Sequence, residues 1–160
     1  MTKKEMKTNA MRILDKEQVT FEILYYECDD FLSGVDVADK MGESHELVYK
    51  TLVCVGKSKD YYVFVIPIED EIDLKKAAKA VNEKALEMLH LKDLTKVTGY
   101  IRGGTTAIGM KKQFPTIVHF SAELLDKFYV SGGKPGTQVK LSPKDFMKIT
   151  NAKYYDIIKD

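Results

Sequence analysis

Two strand-forming runs flank a polar turn in the stretch Val48-Tyr-Lys-Thr-Leu-Val-Cys-Val55, Gly56-Lys-Ser-Lys-Asp60, Tyr61-Tyr-Val-Phe-Val-Ile66. β-branched and aromatic residues are frequent in both runs, and the polar, glycine-led segment between them predicts a β-hairpin. The runs are apolar at successive positions, which is typical of strands that are buried on both faces. We therefore expect a sheet that is covered on both sides.

Helical and strand patterns alternate on both sides of this hairpin. Periodicity and capping signals predict helices at residues 6–18, 35–41, 73–89, 121–127 and 143–150, and strands at residues 20–26, 116–120, 129–131 and 138–141. We expect the third helix to break near Asn82, whose side chain would cap its second piece. Interleaved elements that include hairpins predict a mixed α/β (α+β) fold, with helices packed on a curved sheet. The sequence shows no linker or repeat, which predicts a single domain over residues 1–160.

Composition and charge exclude several classes of protein. Of the 160 residues, 44% are hydrophobic, which is enough for a core without disulfide or metal support. The two cysteines, Cys28 and Cys54, and the three histidines lie at no metal-ligand spacing, so we expect neither a metal nor another cofactor. The sequence contains no secretory signal and no membrane-spanning run, which indicates a cytoplasmic protein.

Basic residues are concentrated in the second part of the chain. Residues 1–96 hold 15 basic and 19 acidic side chains, whereas residues 97–160 hold 10 and 5. This asymmetry fits a local positive face for phosphates, and it fits equally a set of lysines that keep the surface soluble.

Lys50 is the most unusual residue of the hairpin. It shares its side of the predicted strand with an apolar set, Val48, Leu52 and Cys54. A lysine there protects a sheet edge, extends its ammonium group to solvent, or points into a polar pocket. In the third case the ammonium group could meet a phosphate, a carboxylate or a developing oxyanion.

Two glycine-rich segments could bring backbone N–H groups close to an anion. The first, Gly99-Tyr-Ile-Arg-Gly-Gly-Thr-Thr-Ala-Ile-Gly-Met-Lys-Lys112, has P-loop glycine spacing but carries Met110 in place of the lysine, so we exclude Walker-type nucleotide binding. The second, Ser131-Gly-Gly-Lys-Pro-Gly136, resembles the backbone clamp of KH domains. For each segment, a tight turn between strands is the alternative. The sequence contains no G-x-S-x-G nucleophile elbow.

Six motifs occur in an order that resembles the YbaK/EbsC family. They are Lys7-Thr-Asn-Ala-Met, Val48-Tyr-Lys-Thr-Leu-Val53, Asp73-Leu-Lys-Lys-Ala-Ala78, Gly99-Tyr-Ile-Arg-Gly-Gly104, Ile108-Gly-Met-Lys-Lys112 and Tyr129-Val-Ser-Gly-Gly-Lys134. The resemblance implies a curved, barrel-like mixed sheet surrounded by helices. It also implies a trans-editing enzyme that removes cysteine from mischarged proline tRNA, with the substrate thiol attacking its own ester. The implied partners are the aminoacylated 3′ end of the tRNA and prolyl-tRNA synthetase.

The resemblance also implies roles for individual residues. The catalytic positions are Lys50, Gly103 and Gly104. Positions that bind the substrate are Tyr26, Thr105, Thr106, Ala107, Ser131 and Gln138. Positions expected to contact tRNA are Arg102, Lys111, Lys112 and Lys134.

The chain departs from the family pattern at three places. Thr106-Ala107 replaces a Ser-Pro pair, Gln138 replaces an aspartate, and Pro135 replaces a basic residue. Losing a carboxylate removes a possible partner for the ammonium group of the substrate. Two alternatives therefore stay open: a deacylase for alanyl- or seryl-tRNA, and a non-catalytic module that binds RNA or another anion.

Overall fold

The computed structural model describes residues 7–27 and 34–160. Five helices and eight strands are present in these residues. The helices are α1 (Asn9–Lys16), α2 (Gly34–Met41), α3 (Leu74–Ala80), α4 (Leu91–Thr98) and α5 (Pro143–Thr150). The strands are β1 (Glu22–Tyr25), β2 (Tyr49–Gly56), β3 (Tyr61–Pro67), β4 (Leu86–Met88), β5 (Thr116–His119), β6 (Phe128–Ser131), β7 (Thr137–Leu141) and β8 (Lys153–Tyr155). Short 3-10 turns cover His45–Leu47 and Phe120–Leu124.

The predicted hairpin of β2 and β3 forms the centre of a five-stranded sheet. Its antiparallel register places Lys50 opposite Ile66 and Cys54 opposite Tyr62. The strand order is β4-β2-β3-β5-β8, with β3–β5 and β5–β8 parallel. The sheet is therefore mixed, as the interleaved pattern predicted.

A second, antiparallel sheet has the strand order β1-β7-β6. The predicted strands around the second glycine segment are the hairpin β6–β7, with Ser131 opposite Gln138 at its end. The two sheets meet at an isolated parallel bridge between Val48 and Tyr129. The mixed α/β class is thus confirmed, with the strands divided between two adjoining sheets.

Both faces of the β2–β3 hairpin are covered. Tyr49, Val63 and Val65 belong to one apolar core, which the second sheet, α1 and α5 also supply. Phe64 and Ile66 belong to a separate core beneath α3, on the face that also carries Cys54. This double coverage explains why the two runs are apolar at successive positions.

Three helices begin at polar capping residues; the cap predicted at Ser142 is confirmed, whereas α1 begins at Asn9 and not at the predicted residue 6. Thr8 caps α1 by accepting a hydrogen bond from Met11 N at 3.2 Å. Asp73 caps α3 in the same way. Ser142 Oγ accepts from Asp145 N at 3.1 Å, with Pro143 as the first residue of α5. Met6, at the start of the first predicted helix, lies outside the described residues.

The sequence interpretation was wrong for residues 82–89 and 121–127, whereas the strand predicted at residues 116–120 is confirmed as β5. Asn82 adopts a left-handed φ of 59° and so caps no second helical piece, and the segment that follows forms the strand β4. The helix predicted at residues 121–127 is a 3-10 turn over Phe120–Leu124. Helix α4 and strand β8 were not predicted. Within the described residues, no helix is long and apolar enough to span a bilayer.

Candidate functional site

A cavity of about 460 Å³ lies beside the junction of the two sheets. Its polar lining includes seven of the residues that the sequence singled out, which are Tyr26, Lys50, Arg102, Gly103, Thr105, Ser131 and Gln138. Its apolar lining includes Val37, Leu52, Ile68, Met88, Leu91 and Leu94. This combination of an apolar wall with a few convergent polar groups is typical of small-molecule sites.

The open edge of β2 explains why the cavity forms there. Strand β4 pairs with Cys54–Gly56, at the far end of β2, and Val48 bridges to the second sheet at the near end. Leu89 N, directly after β4, donates to the carbonyl oxygen of Val53 at 3.0 Å, and among the described residues no strand pairs with the edge of Tyr49–Leu52 on the side opposite β3. Residues from both faces of β2 therefore border the cavity.

Three polar side chains reach the cavity from one end of the second sheet. Ser131 and Gln138 face each other across the β6–β7 hairpin. Tyr26 directly follows β1, and its N–H donates to the carbonyl oxygen of Gly136 at 2.9 Å. The Ser131 hydroxyl accepts from Gly133 N at 3.2 Å, which holds the glycine turn next to the site. The turn therefore closes a hairpin, and it also borders the cavity.

The two glycine-rich segments are in direct contact. A Cβ atom on Gly104 would lie 2.6 Å from Lys134 Cα and 2.8 Å from Pro135 Cδ. Gly103 has a φ of 85°, which side chains rarely permit. The backbone at this point therefore requires glycine for two separate reasons, close approach at Gly104 and conformation at Gly103.

Lys50 is half-buried on the apolar face of β2, as its parity predicted. Desolvation lowers the pKa of its ammonium group, and the negative charges of Asp70 and Glu71 partly oppose this shift. None of the carboxylates in the described residues lies within ion-pairing distance of Lys50 Nζ. The cavity thus contains a cation whose charge is incompletely balanced by the described residues, which suits it to an anionic ligand or a developing oxyanion.

Two residues of the cavity lining each carry a buried oxygen atom that has no hydrogen-bond partner in the described part of the chain. The atoms are Gln138 Oε1 and Thr51 Oγ1, and Gln138 is 5% exposed. Leaving a buried acceptor unsatisfied costs about 1–3 kcal/mol, so native proteins rarely keep such atoms without a ligand or a bound water. A water molecule or a ligand with hydrogen-bond donors would satisfy these atoms once a side-chain rotation exposes them. Nothing in the sequence distinguished Thr51 as a cavity residue, because a lone threonine inside a strand is common.

The remaining predicted site residues lie around the cavity. Thr105 donates to the carbonyl oxygen of Ile101 at 3.1 Å, which shapes the loop that carries Gly103. Thr106 and Ala107 are buried behind this loop and do not line the cavity, and Ala107 is part of the first core. Gly104 and Lys134 form the backbone contact just described.

Two of the predicted tRNA contacts lie away from the cavity. The alkyl chain of Lys111 lies beside Gly99, at the end of α4. Lys112 borders a separate cavity. Arg102, by contrast, lies on the lining of the first cavity.

A Tyr-Ser-His-Asp chain lies close to the site. Ser121 Oγ is 2.6 Å from the Tyr49 hydroxyl and 2.8 Å from His119 Nδ1, and His119 Nε2 is 3.6 Å from Asp156. Ser121 N also donates to His119 Nδ1, as in a helix cap. Ser121 lines neither of the two cavities, so we interpret the chain as a support for Tyr49 rather than as a catalytic triad.

Neither a thiol nor a metal completes the site within the described residues. Cys54 is buried, and desolvation raises the pKa of its thiol to about 12, which suppresses the nucleophilic thiolate. Cys28 lies outside the described residues. The described part of the chain contains no group of three or more potential metal ligands.

The chain is similar to known proteins in both sequence and fold. The family model of the aminoacyl-tRNA editing domain matches residues 32–149 of this chain. A protein of Enterococcus faecalis named EbsC, provisionally assigned as a Cys-tRNA(Pro)/Cys-tRNA(Cys) deacylase, is 45% identical over 156 residues. That match covers 97% of this chain and 95% of the relative.

Two solved structures share the fold at lower identity. One, described provisionally as a trans-editing enzyme for prolyl tRNA synthetase, has a TM-score of 0.80 and 20% identity, and the match covers 98% of this chain and 100% of that one. The other, the hypothetical protein APE2540, has a TM-score of 0.86 and 18% identity, with 95% and 100% of the two chains covered. These structures support the architecture described above.

Proposed function

The chain belongs to the aminoacyl-tRNA editing domain family, and from this premise we propose that it is a deacylase that releases cysteine from mischarged proline tRNA. The observation that carries the proposal is the joint presence, in one cavity, of the Lys50 ammonium group, the Gly103 backbone and the unsatisfied Gln138 acceptor. The 45% identical relative assigned to cysteinyl-tRNA supports the choice of substrate.

Each group suits a different part of an aminoacyl ester. The ester carbonyl becomes an oxyanion during cleavage, and the Lys50 ammonium group and the Gly103 backbone N–H can stabilise that charge. The Gly104 N–H donates instead to the carbonyl oxygen of Ile101 at 3.0 Å. The Gln138 side chain, rotated so that Oε1 faces the cavity, can accept a hydrogen bond from the α-ammonium group of the amino acid, with Tyr26 and Ser131 beside it. The apolar side chains of Met88, Leu91 and Leu94 can contact the terminal nucleoside of the tRNA.

The cleavage requires no protein nucleophile if the substrate supplies one. The cysteine sulfur forms a bond to its own carbonyl carbon, the ester C–O bond breaks, and the thiol proton ends on the ribose oxygen of the tRNA. Water then opens the resulting thiolactone to free cysteine. Positioning and charge stabilisation are the tasks left to the protein. This division of work agrees with the high thiol pKa of Cys54 and with the position of Ser121 outside the lining of both cavities.

The test is release of cysteine from charged proline tRNA by the wild type, Lys50→Ala and Lys50→Arg. Removing a donor to the oxyanion should lower kcat by roughly 10²–10³-fold. Lys57→Ala is the matched control, because Lys57 is exposed in the turn of the same hairpin and lines neither cavity. Equal rates for wild type and Lys50→Ala would remove Lys50 from the mechanism. Salt-sensitive tRNA binding without ester cleavage would instead favour a non-catalytic RNA-binding module.

The proposal extends to prolyl-tRNA synthetase as a partner. That enzyme attaches amino acids to proline tRNA, so it is the point at which the mischarged product is released. Adding the synthetase to the assay should raise the rate at low tRNA concentration. An unchanged rate would show that the deacylase captures free tRNA.

A further inference from the structure

A second cavity of about 450 Å³ lies beside helix α4, apart from the proposed active site. It is lined by the start of β3, the end of α4 and the segment that precedes β5. Its lining residues include Lys59, Tyr61, Lys96, Lys112, Gln113 and Phe114. None of these residues lines the first cavity.

The rim of the second cavity is positively charged. Lys59, Lys96 and Lys112 line it together with one carboxylate, Asp60. Among the described residues, none of these three ammonium groups forms an ion pair, whereas Lys76 pairs with Asp156 and Asp160 elsewhere on the surface. The three lysines are therefore available to an anionic ligand.

The floor of the second cavity is aromatic. Tyr61 and Phe114 pack edge to face, with ring centroids 5.6 Å apart and an interplanar angle of 71°. Phe114 is nearly buried, and Tyr61 is half-buried. Lysines around an aromatic floor are the combination with which proteins hold single-stranded nucleic acid, since the cations meet phosphates and the rings meet bases or riboses.

Helix α4 separates the two cavities. Leu91 and Leu94 line the first cavity, and Lys96 and Val97 line the second. At 3.6 residues per turn, Leu91 and Lys96 point about 140° apart, whereas Leu94 and Val97 are neighbours on one face of the helix. Leu94 of the first lining and Val97 of the second are three residues apart on this eight-residue helix, so the two linings approach each other there to about 5–6 Å between Cβ atoms.

We propose that the second cavity binds the sugar–phosphate backbone of the single-stranded tRNA end while the aminoacylated nucleotide occupies the first. The inference rests on the proposed function for its choice of RNA. It adds a distinct binding site and assigns Lys59, Lys96 and Lys112 to it, with Lys112 as the one residue that sequence had already connected with tRNA.

The test uses the full chain with Lys96→Gln and Lys112→Gln combined. We expect a several-fold weaker affinity for uncharged proline tRNA. We also expect the slope of log affinity against log salt to become shallower by about 0.7 for each lost contact with single-stranded RNA. The matched control is Lys144→Gln with Lys148→Gln, which removes the same charge from α5, away from both cavities.

Kinetics with two substrates separate this inference from the proposed function. The double variant should raise KM for cysteinyl-tRNA and leave kcat unchanged, while cleavage of cysteinyl adenosine, which is too short to reach the second cavity, should match the wild type. Equal tRNA affinity and salt slope in wild type and double variant would overturn the inference, as would an equal loss in the α5 control. A wild type that binds tRNA through these lysines but cleaves neither substrate would instead refute the proposed function alone.

Discussion

Gly104 and Lys134 join the two glycine-rich segments, because the position of a Gly104 Cβ atom is 2.6 Å from Lys134 Cα. The first segment carries Gly103 into the cavity, and the second carries Ser131. The relative placement of these cavity residues therefore depends on a backbone contact that no side chain larger than hydrogen permits.

Substituting Gly104 by alanine should separate these two segments. The new methyl group would collide with backbone atoms, and forced overpacking of this kind costs about 1–3 kcal/mol. We expect a lower denaturant midpoint together with a loss of kcat/KM for the charged tRNA. The control is Gly42→Ala, since Gly42 also has a positive φ but has open space around its Cβ position. Because alanine is strained in the left-handed conformation, Gly42→Ala should lower the free energy of unfolding by about 1–2 kcal/mol and leave kcat/KM unchanged. An active, fully stable Gly104→Ala variant would contradict the contact.

Replacing Gln138 with leucine should stabilise the folded protein and weaken its binding of the substrate. The change removes a buried acceptor that lacks a partner, so the free energy of unfolding should rise by up to about 1–3 kcal/mol. The KM for the aminoacyl substrate should rise, because the proposed contact with its ammonium group is lost.

Gln113→Leu is the comparison for that experiment. Gln113 Nε2 donates to the carbonyl oxygen of Thr150 at 3.0 Å, so its removal should destabilise the protein. Opposite shifts of the two midpoints in urea would support the unsatisfied state of Gln138. A destabilised Gln138→Leu variant would argue for an internal partner.

The nature of the amino acid should control the rate. If the substrate supplies the nucleophile, cysteinyl esters should be cleaved fastest, seryl esters more slowly and alanyl esters slowest, since a thiol is a better nucleophile than a hydroxyl and alanine has neither. The three proline tRNAs, charged in parallel, provide the measurement. A faster reaction with alanyl-tRNA would point to an attacking water molecule and to a different biological substrate.

Acidification should weaken the fold through His119. Burial lowers the pKa of this imidazole below the ordinary 6.5, and the positive charge of Lys76 lowers it slightly further. The negative charges of Asp156 and Asp70 raise the pKa, but burial is the larger effect. The unfolded chain therefore takes up a proton before the folded one does, and stability falls as the pH drops below about 6.5 toward the lowered value.

The measurement is the urea midpoint at pH 7.5 and pH 5 for wild type, His119→Gln and His45→Gln. Removing His119 should reduce the loss of stability between the two pH values. His45 is the control of opposite sign, since its hydrogen bonds with Asp39 and Glu69 raise its pKa and favour the folded state at low pH. A pH dependence that the His119 substitution leaves unchanged would exclude this origin.

The elements that sequence predicted well are those with strong local signals. The β2–β3 hairpin has two apolar runs and a polar turn, and α5 begins with a serine cap followed by Pro143. Strand β4 was predicted as helix because Ala85-Leu-Glu-Met88 favours helix by itself, and pairing with Cys54–Gly56 overrides that preference. Strand β8 is three residues long and is defined by its parallel pairing with β5.

The candidate site shows the same division between local and tertiary information. The anomaly of Lys50 and the glycine segments were visible in the sequence, and the structure brings Lys50, Gly103 and Ser131 to one cavity. The roles assigned to them stay predictions. Thr51 and the second cavity were not foreseen, because an unsatisfied oxygen and a cluster of lysines on α4, the hairpin turn and the segment before β5 arise from packing between distant segments.

Residues 26, 50, 103, 131 and 138 meet at one cavity although more than 100 positions separate the first from the last. Such long-range pairing slows folding, which commonly takes milliseconds to seconds when non-local contacts dominate. An emerging polypeptide that still lacks its final hairpin therefore has no complete catalytic pocket. After dilution from denaturant, ester cleavage should therefore recover at the rate at which the last hairpin packs into place, and later than helices and strands form.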